Sequence, residues 1–234
     1  MTHPHITLTG KRLTTPRAAS IAGILFAVLF TTSLILIRLS FPTGATASDA
    51  WPEMETSLLK PALGLMPFAG IAFLWFVGVV RDRLGAFEDQ FFSTVFFGSG
   101  LLFLAMIFAA SAIAGGIAAG YSTNPAGFST SEVYQFGRTI LSQFFTIYAL
   151  RMAGVFVISL GTIWLRTGLM PRWLSFITYV FALILILSTS LNLWMVLVFP
   201  GWVLIISLYI LIHNLKQQAP GVSDGLTISP MDQG

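Results

Sequence analysis

The stretch Phe136–Gly154, FGRTILSQFFTIYALRMAG, carries two arginines in a run otherwise apolar enough for a bilayer. Arg138 falls near one end of it. Arg151 has apolar neighbours on both sides for more than two helical turns. A guanidinium stays protonated in proteins and offers five donors and no acceptor. Its chemistry at such a place is recognition of an anion or a carbonyl oxygen. Arginine at the centre of a spanning helix costs about 2.5–3.5 kcal/mol on insertion scales, and a charge kept there normally has a partner inside the bundle.

Several side chains are placed to help. Tyr148 is three residues before Arg151, so the two are neighbours on a helix surface. Gly154, Ser159 and Thr162 fall within about a quarter-turn of the same direction. Asn192 and the Pro200-Gly201 pair in the last apolar run are further oxygen sources. Proline removes one backbone hydrogen bond and frees a carbonyl one turn back. A free carbonyl is tolerated at membrane depth where it is buried or lines a cavity. The candidate ligand-binding set is therefore Arg151, Tyr148, Asn192 and Thr162, with Pro200 and Gly201 as the helix break.

Arg138 and Arg166 are the natural interfacial markers of this helix, because long basic side chains reach toward headgroups. They lie about 42 Å apart along a helix, and Arg151 is about 20 and 22 Å from them. The acids are Asp49, Glu53, Glu55, Asp82, Glu88, Asp89, Glu132, Asp224 and Asp232, and all fall outside the apolar runs. Glu88 and Asp89 come nearest. Three readings of Arg151 follow: it holds an anionic or carbonyl-bearing ligand, it knots helices together, or the span is misplaced and the residue is wet. A voltage sensor is excluded, since that needs a series of arginines on one helix.

Other chemistries lack their residues. His3, His5 and His213 stand at the ends of apolar runs, and no lysine or carboxylate lies inside one. Gly98-Ser99-Gly100 offers a serine but no base to activate it. No phosphate-cradling loop of the P-loop type occurs. The sequence therefore shows no complete catalytic set and implies no metal and no cofactor. With no cysteine among 234 residues, disulfides and thiolate ligands are also excluded.

The elements that must position Arg151 are membrane helices. The chain is 56% hydrophobic and 9% charged, with a mean hydropathy of +0.85. Soluble domains are about 25% charged, so this chain cannot cover a water-facing surface. Its pI of 9.5 comes without a basic patch interleaved with aromatics, which argues against nucleic acid. A span needs about 20 mostly apolar residues. Six runs meet or approach this: 18–37, 63–80, 91–119, 140–165, 173–187 and 191–212. The fifth and sixth are separated only by STSLN, which reads as a tight hairpin or one broken re-entrant unit. The expected fold is an all-α polytopic bundle of six transmembrane helices over 18–213, with tails at 1–17 and 214–234.

Orientation follows from alternate loops. Lys11, Arg12, Arg17, Arg81, Arg83, Arg166, Arg172 and Lys216 share one side, and Arg38, Lys60 and Arg138 the other. The bias puts both termini in the cytoplasm and the protein in the cytoplasmic (inner) membrane. The basic N-terminus and Ala45-Thr46-Ala47 resemble a secretory signal with its cleavage site. The first apolar run is too long for one and Arg38 intervenes, so the run reads as a retained span.

The connectors are simple. Residues 48–60 could form a short surface helix. The stretch 121–129 reads as a polar connector with a turn at Asn124-Pro125. Ser129 and Glu132 have capping-box spacing, which starts the fourth helix near Thr130. Pro16-Arg17 and Pro171-Arg172 both open a span, a common way to begin one. Ala112, Gly116 and Gly120 recur every four residues, a spacing that lets helices approach closely. They pack inside the bundle or dock a second copy or another membrane protein. The 21 phenylalanines read as core and lipid-facing filler or as the lining of a lipid cavity. Membrane lipids are the expected surroundings. The leading functional expectation is binding or transport of an anionic or carbonyl-bearing small molecule or lipid at Arg151. The alternatives are an accessory subunit of a larger membrane complex and an enzyme acting on lipid.

Overall fold

A computed structural model describes residues 15–40, 56–84, 90–168, 170–187 and 193–217, and every regular element among them is helical. The elements are α1 (Thr15–Ser40), α2 (Thr56–Leu84), α3 (Gln90–Thr123), the short α4 (Pro125–Ser129), α5 (Glu132–Gln143), a π-helical turn (Phe144–Ala149), α6 (Leu150–Thr167), α7 (Arg172–Leu187), a 3-10 turn (Leu193–Leu197) and α8 (Val198–Gln217). Most of both tails, Asn192 and most of residues 48–60 lie outside the described residues; α1 already begins at Thr15, α2 at Thr56, and α8 runs on to Gln217.

Local chemistry sets the breaks. The expected connector at 121–129 is mostly helical. Asn124 caps α4 by accepting the Gly127 N–H at 3.1 Å, with Pro125 in the first turn where its missing N–H costs nothing. Ser129 closes α4, and the N-cap of α5 is Ser131, whose hydroxyl accepts the Tyr134 N–H at 3.2 Å. The expected capping box of Ser129 and Glu132 does not form: a one-turn helix ends at Ser129, the N-cap moves to Ser131, and Tyr134 rather than an acid stands at N3. Gly168 ends α6 with φ 66°, a left-handed conformation that favours glycine, and its N–H bonds to Trp164 O at 3.0 Å.

Five helical stretches are long and apolar enough to cross a membrane: Ala18–Ser40, Ser57–Asp82, Phe91–Thr123, Glu132–Thr167 and Met195–His213. The chain is thus an all-helical protein of membrane-spanning character. The expected fifth span is α7, with 16 residues. It measures about 24 Å, short of the ~30 Å hydrocarbon thickness. The fourth span is instead longer than expected, because α5, the π turn and α6 form one continuous rod of 36 residues.

The helices close a ring in the order α1, α2, α3, α6, α7, α8 and back to α1. Its centre is aromatic. Phe73 of α2 meets Phe26 of α1 at 4.8 Å, Phe103 of α3 at 5.5 Å, Phe156 of α6 at 5.4 Å and Phe199 of α8 at 5.7 Å, measured between ring centroids. All five rings are 1% exposed or less. Aromatic pairs at these distances add about 0.5–1.5 kcal/mol each beyond burial. These phenylalanines are packed core, while Phe68, Phe91, Phe136 and Phe176 face outward. One close backbone approach holds the ring shut. A methyl on Gly23 of α1 would fall 2.0 Å from Ser207 Oγ of α8 and 3.0 Å from the Phe76 ring, so a larger residue would have to turn the hydroxyl away and press on the ring.

Aromatic and basic side chains mark one end of the bundle. Arg81 lies over Phe97, Arg166 over Phe92, and Trp173, Tyr209 and His213 form a short ring series. At the opposite end Arg138 lies over Tyr134. Arg151 is between these ends on the long rod.

Candidate polar site on the fourth rod

Arg151 is the second residue of α6, directly after the π turn, and it is half-buried. Helical side chains lean toward the N-terminus. The guanidinium accordingly reaches back one turn and donates from Nη1 to Ile147 O at 3.3 Å. That carbonyl already accepts the Leu150 N–H. Among the described residues this is the one hydrogen bond Arg151 makes, so these residues leave most of its five donors unmet.

The residues expected around it are only partly gathered. Tyr148 is beside it in sequence but 52% exposed, with its ring against Phe144 at 5.9 Å. Thr162 shares the angular direction but not the depth: eleven residues separate it from Arg151, about 16 Å along the axis. Its hydroxyl instead meets Tyr179 of α7 at 2.7 Å and Ile158 O at 2.9 Å. Asn192 lies outside the described residues. Pro200 does not break a span at mid-helix. It is the third residue of α8, buried, where the 3-10 turn gives way to α-helix, and the first turn of a helix has no N–H to lose. Gly201 follows with no atom near enough to crowd a methyl.

Nor do the remaining motifs join this site. Ser99 is buried and donates to Phe96 O at 3.0 Å. Ala112 and Gly116 face outward on α3, whereas Gly120 lies under the Phe128 ring. The four-residue series is therefore split between an outer face and an internal contact.

The feature that sequence reading missed is the π turn. Wider i→i+5 bonding absorbs one extra residue and rotates everything after it by about 100° relative to an α-helix. In an unbroken α-helix Arg151 would lie about 120° round from Thr139; the π turn leaves about 20°. Glu132, Gln135 and Gln143 lie within about 40° of Thr139 by the same count. All four are exposed. The π turn thus brings Arg151 into line with the polar face of α5, at the foot of a stripe about 28 Å long. The signal was present in the sequence as a phase slip: polar residues at 132, 135, 139 and 143, then the next charge eight residues on.

Two surfaces border this stripe. Val133 and Phe136 stand about 60–120° round from Thr139 and are 69% and 67% exposed. The inner side lies on α3, where a methyl on Gly137 would be 3.2 Å from Ile117 Cγ1. At the foot, α7 runs antiparallel to α6 and ends near Arg151. A methyl on Gly154 would sit 2.5 Å from Ile186 Cγ1 and 3.3 Å from Ala182 O. The π turn itself packs against the 3-10 turn before α8.

Comparison with protein-family models, curated proteins and solved structures finds no match to this chain.

Proposed function

We propose that the chain is a multi-pass protein of the cytoplasmic membrane, with both termini on the cytoplasmic side, that binds or moves an anionic or carbonyl-bearing molecule at Arg151. Five stretches long enough to cross, with the shorter α7 completing an even number, and the eight-to-three division of basic residues support this topology. One observation carries the functional reading. A half-buried guanidinium stands midway along a 36-residue rod with one 3.3 Å hydrogen bond to a carbonyl that already has a backbone partner. A charge kept for structure alone would have its donors met by the fold. Unspent donors at that depth fit a ligand that supplies the acceptors. Tyr148 flanks the site. Of the remaining expected ligands, Thr162 is excluded by its depth.

The test is ligand-linked stability. A molecule that binds the folded state raises its stability by about 2.7 kcal/mol at a hundredfold excess over Kd. Thermal midpoints of the full chain in detergent are measured against a panel of soluble anions and short-chain anionic lipids. At least one raises the wild-type midpoint and leaves Arg151→Leu unmoved. A panel that moves neither protein, or both equally, overturns the reading.

A second reading rests on α3. Ala112 and Gly116 present a small outward face with open space over Gly116, which fits a neighbouring helix of an accessory-subunit partner or a second copy. A Gly116→Leu variant that keeps its stability and loses an assembly seen for wild type would favour it.

A further inference from the structure

We infer that the polar face of α5, brought into register with Arg151 by the π turn, is a track for the headgroup of a phosphate-bearing lipid, whose acyl chains stay in the bilayer alongside. The inference rests on the reading of Arg151 as a ligand site and names the ligand's class and its route.

Four observations support a lipid over a soluble anion. The track is on the outside of the bundle: Glu132, Gln135, Thr139 and Gln143 are exposed, and the interior nearby is filled by buried rings. It is amphipathic across its width, with exposed Phe136 and Val133 beside the polar residues, so a molecule with a polar head and apolar chains matches both surfaces at once. Its inner part lies at membrane depth: Arg138 marks the interface, and Thr139, Gln143 and Arg151 follow it inward along the rod. It ends on a guanidinium, whose planar donor fork suits a phosphate. The neutral donors of Gln135, Thr139 and Gln143 lie between the mouth and Arg151. Glu132, the one acid on the stripe, stands at the mouth, about 28 Å from Arg151. From Thr139 inward the stripe runs about 18 Å into the membrane, which is costly against hydrocarbon, and headgroups with their water relieve the cost.

The absence of cysteine makes the test direct. Single cysteines replace Thr139, Gln143 and, as the apolar control at the same depth, half-buried Ile140 in the full chain, reconstituted in vesicles. A membrane-impermeant sulfonate-bearing thiol reagent is present on both sides. Thiols in apolar surroundings hold their proton and react slowly. The expected result is modification at 139 and 143 about tenfold faster than at 140. Short-chain phosphatidic acid slows modification at 143, inorganic phosphate at the same concentration does not, and adding Arg151→Leu removes the protection while leaving access intact. Adding Arg151→Lys instead keeps part of it, which separates the charge from folding.

Slow modification at all three positions would overturn the track, because the stripe would be covered or dry. Equal modification at all three would overturn it too, because α5 would stand in water. Protection by inorganic phosphate equal to that by the lipid would overturn the lipid class alone. In each case the ligand-linked stability of Arg151 is a separate result, so loss of the track and loss of the site are told apart.

Discussion

Arg151→Leu should not destabilise the ligand-free protein, and the structure gives the size of the effect. Removing a guanidinium from mid-span recovers about 2.5–3.5 kcal/mol on insertion scales. Among the described residues the substitution forfeits one hydrogen bond, to Ile147 O at 3.3 Å. Bonds to charged groups contribute about 1.5–3 kcal/mol at ordinary length, and this one is long. No acceptor is orphaned, because Ile147 O keeps the Leu150 N–H. The net change lies between zero and a gain of about 2 kcal/mol. At about 2–4 °C per kcal/mol for a chain of this size, the midpoint stays level or rises by up to about 8 °C. The assay is thermal unfolding of both proteins in the same detergent, after washing that strips bound lipid. A structural knot behaves in the opposite way: removing one partner of a buried charged contact costs about 3–5 kcal/mol. A fall of more than about 6 °C in the washed protein would therefore refute the reasoning.

Gly154→Ala drives a methyl into Ile186 and the Ala182 carbonyl, and about 1–3 kcal/mol of overpacking outweighs the gain in helix propensity, so the denaturation midpoint falls. Gly116→Ala meets nothing within 4 Å and gains about 0.5–1 kcal/mol in the same assay. Phe73→Ala empties the aromatic centre and costs about 3–5 kcal/mol, the largest loss of the set, read as loss of folded protein on extraction. Thr178→Val removes the 3.3 Å acceptor of Trp202 Nε1 between α7 and α8, leaves that donor buried and unpaired, and costs about 1–3 kcal/mol, visible also as a shift in tryptophan fluorescence.

The fold was legible where it depends on local composition. Runs such as 18–37 and 91–119 announce α1 and α3 because membrane helices satisfy their own backbone and need only apolar length. Arg151 was legible for the same reason, a single charge among apolar residues being a local signal. What failed were inferences about register. Thr162 was grouped with Arg151 by angle, and the axial distance separates them, with Tyr179 taking the hydroxyl. Pro200 looked like a mid-span break because the apolar run was counted from Leu191, while helix α8 starts at Val198 and absorbs the proline in its first turn. Gly154 and Gly161 let α7 lie close along α6, a contact between helices that composition does not announce. The π turn has no composition of its own: FFTIYA reads as ordinary helix. Only the polar phase slip between Gln143 and Arg151 betrays it, and that slip becomes readable once the polar face of α5 is known.

Native mass spectrometry of the gently extracted full chain, beside Arg151→Leu and Arg151→Lys, tests the site most directly. The expected spectra show an adduct of fixed mass, in the range of a phosphate-bearing lipid, on wild type. It is absent from the leucine variant and weaker on the lysine variant, which keeps the charge without the planar fork. Equal adducts on all three proteins, or bare wild type from an extraction that retains lipid on other membrane proteins, would contradict it.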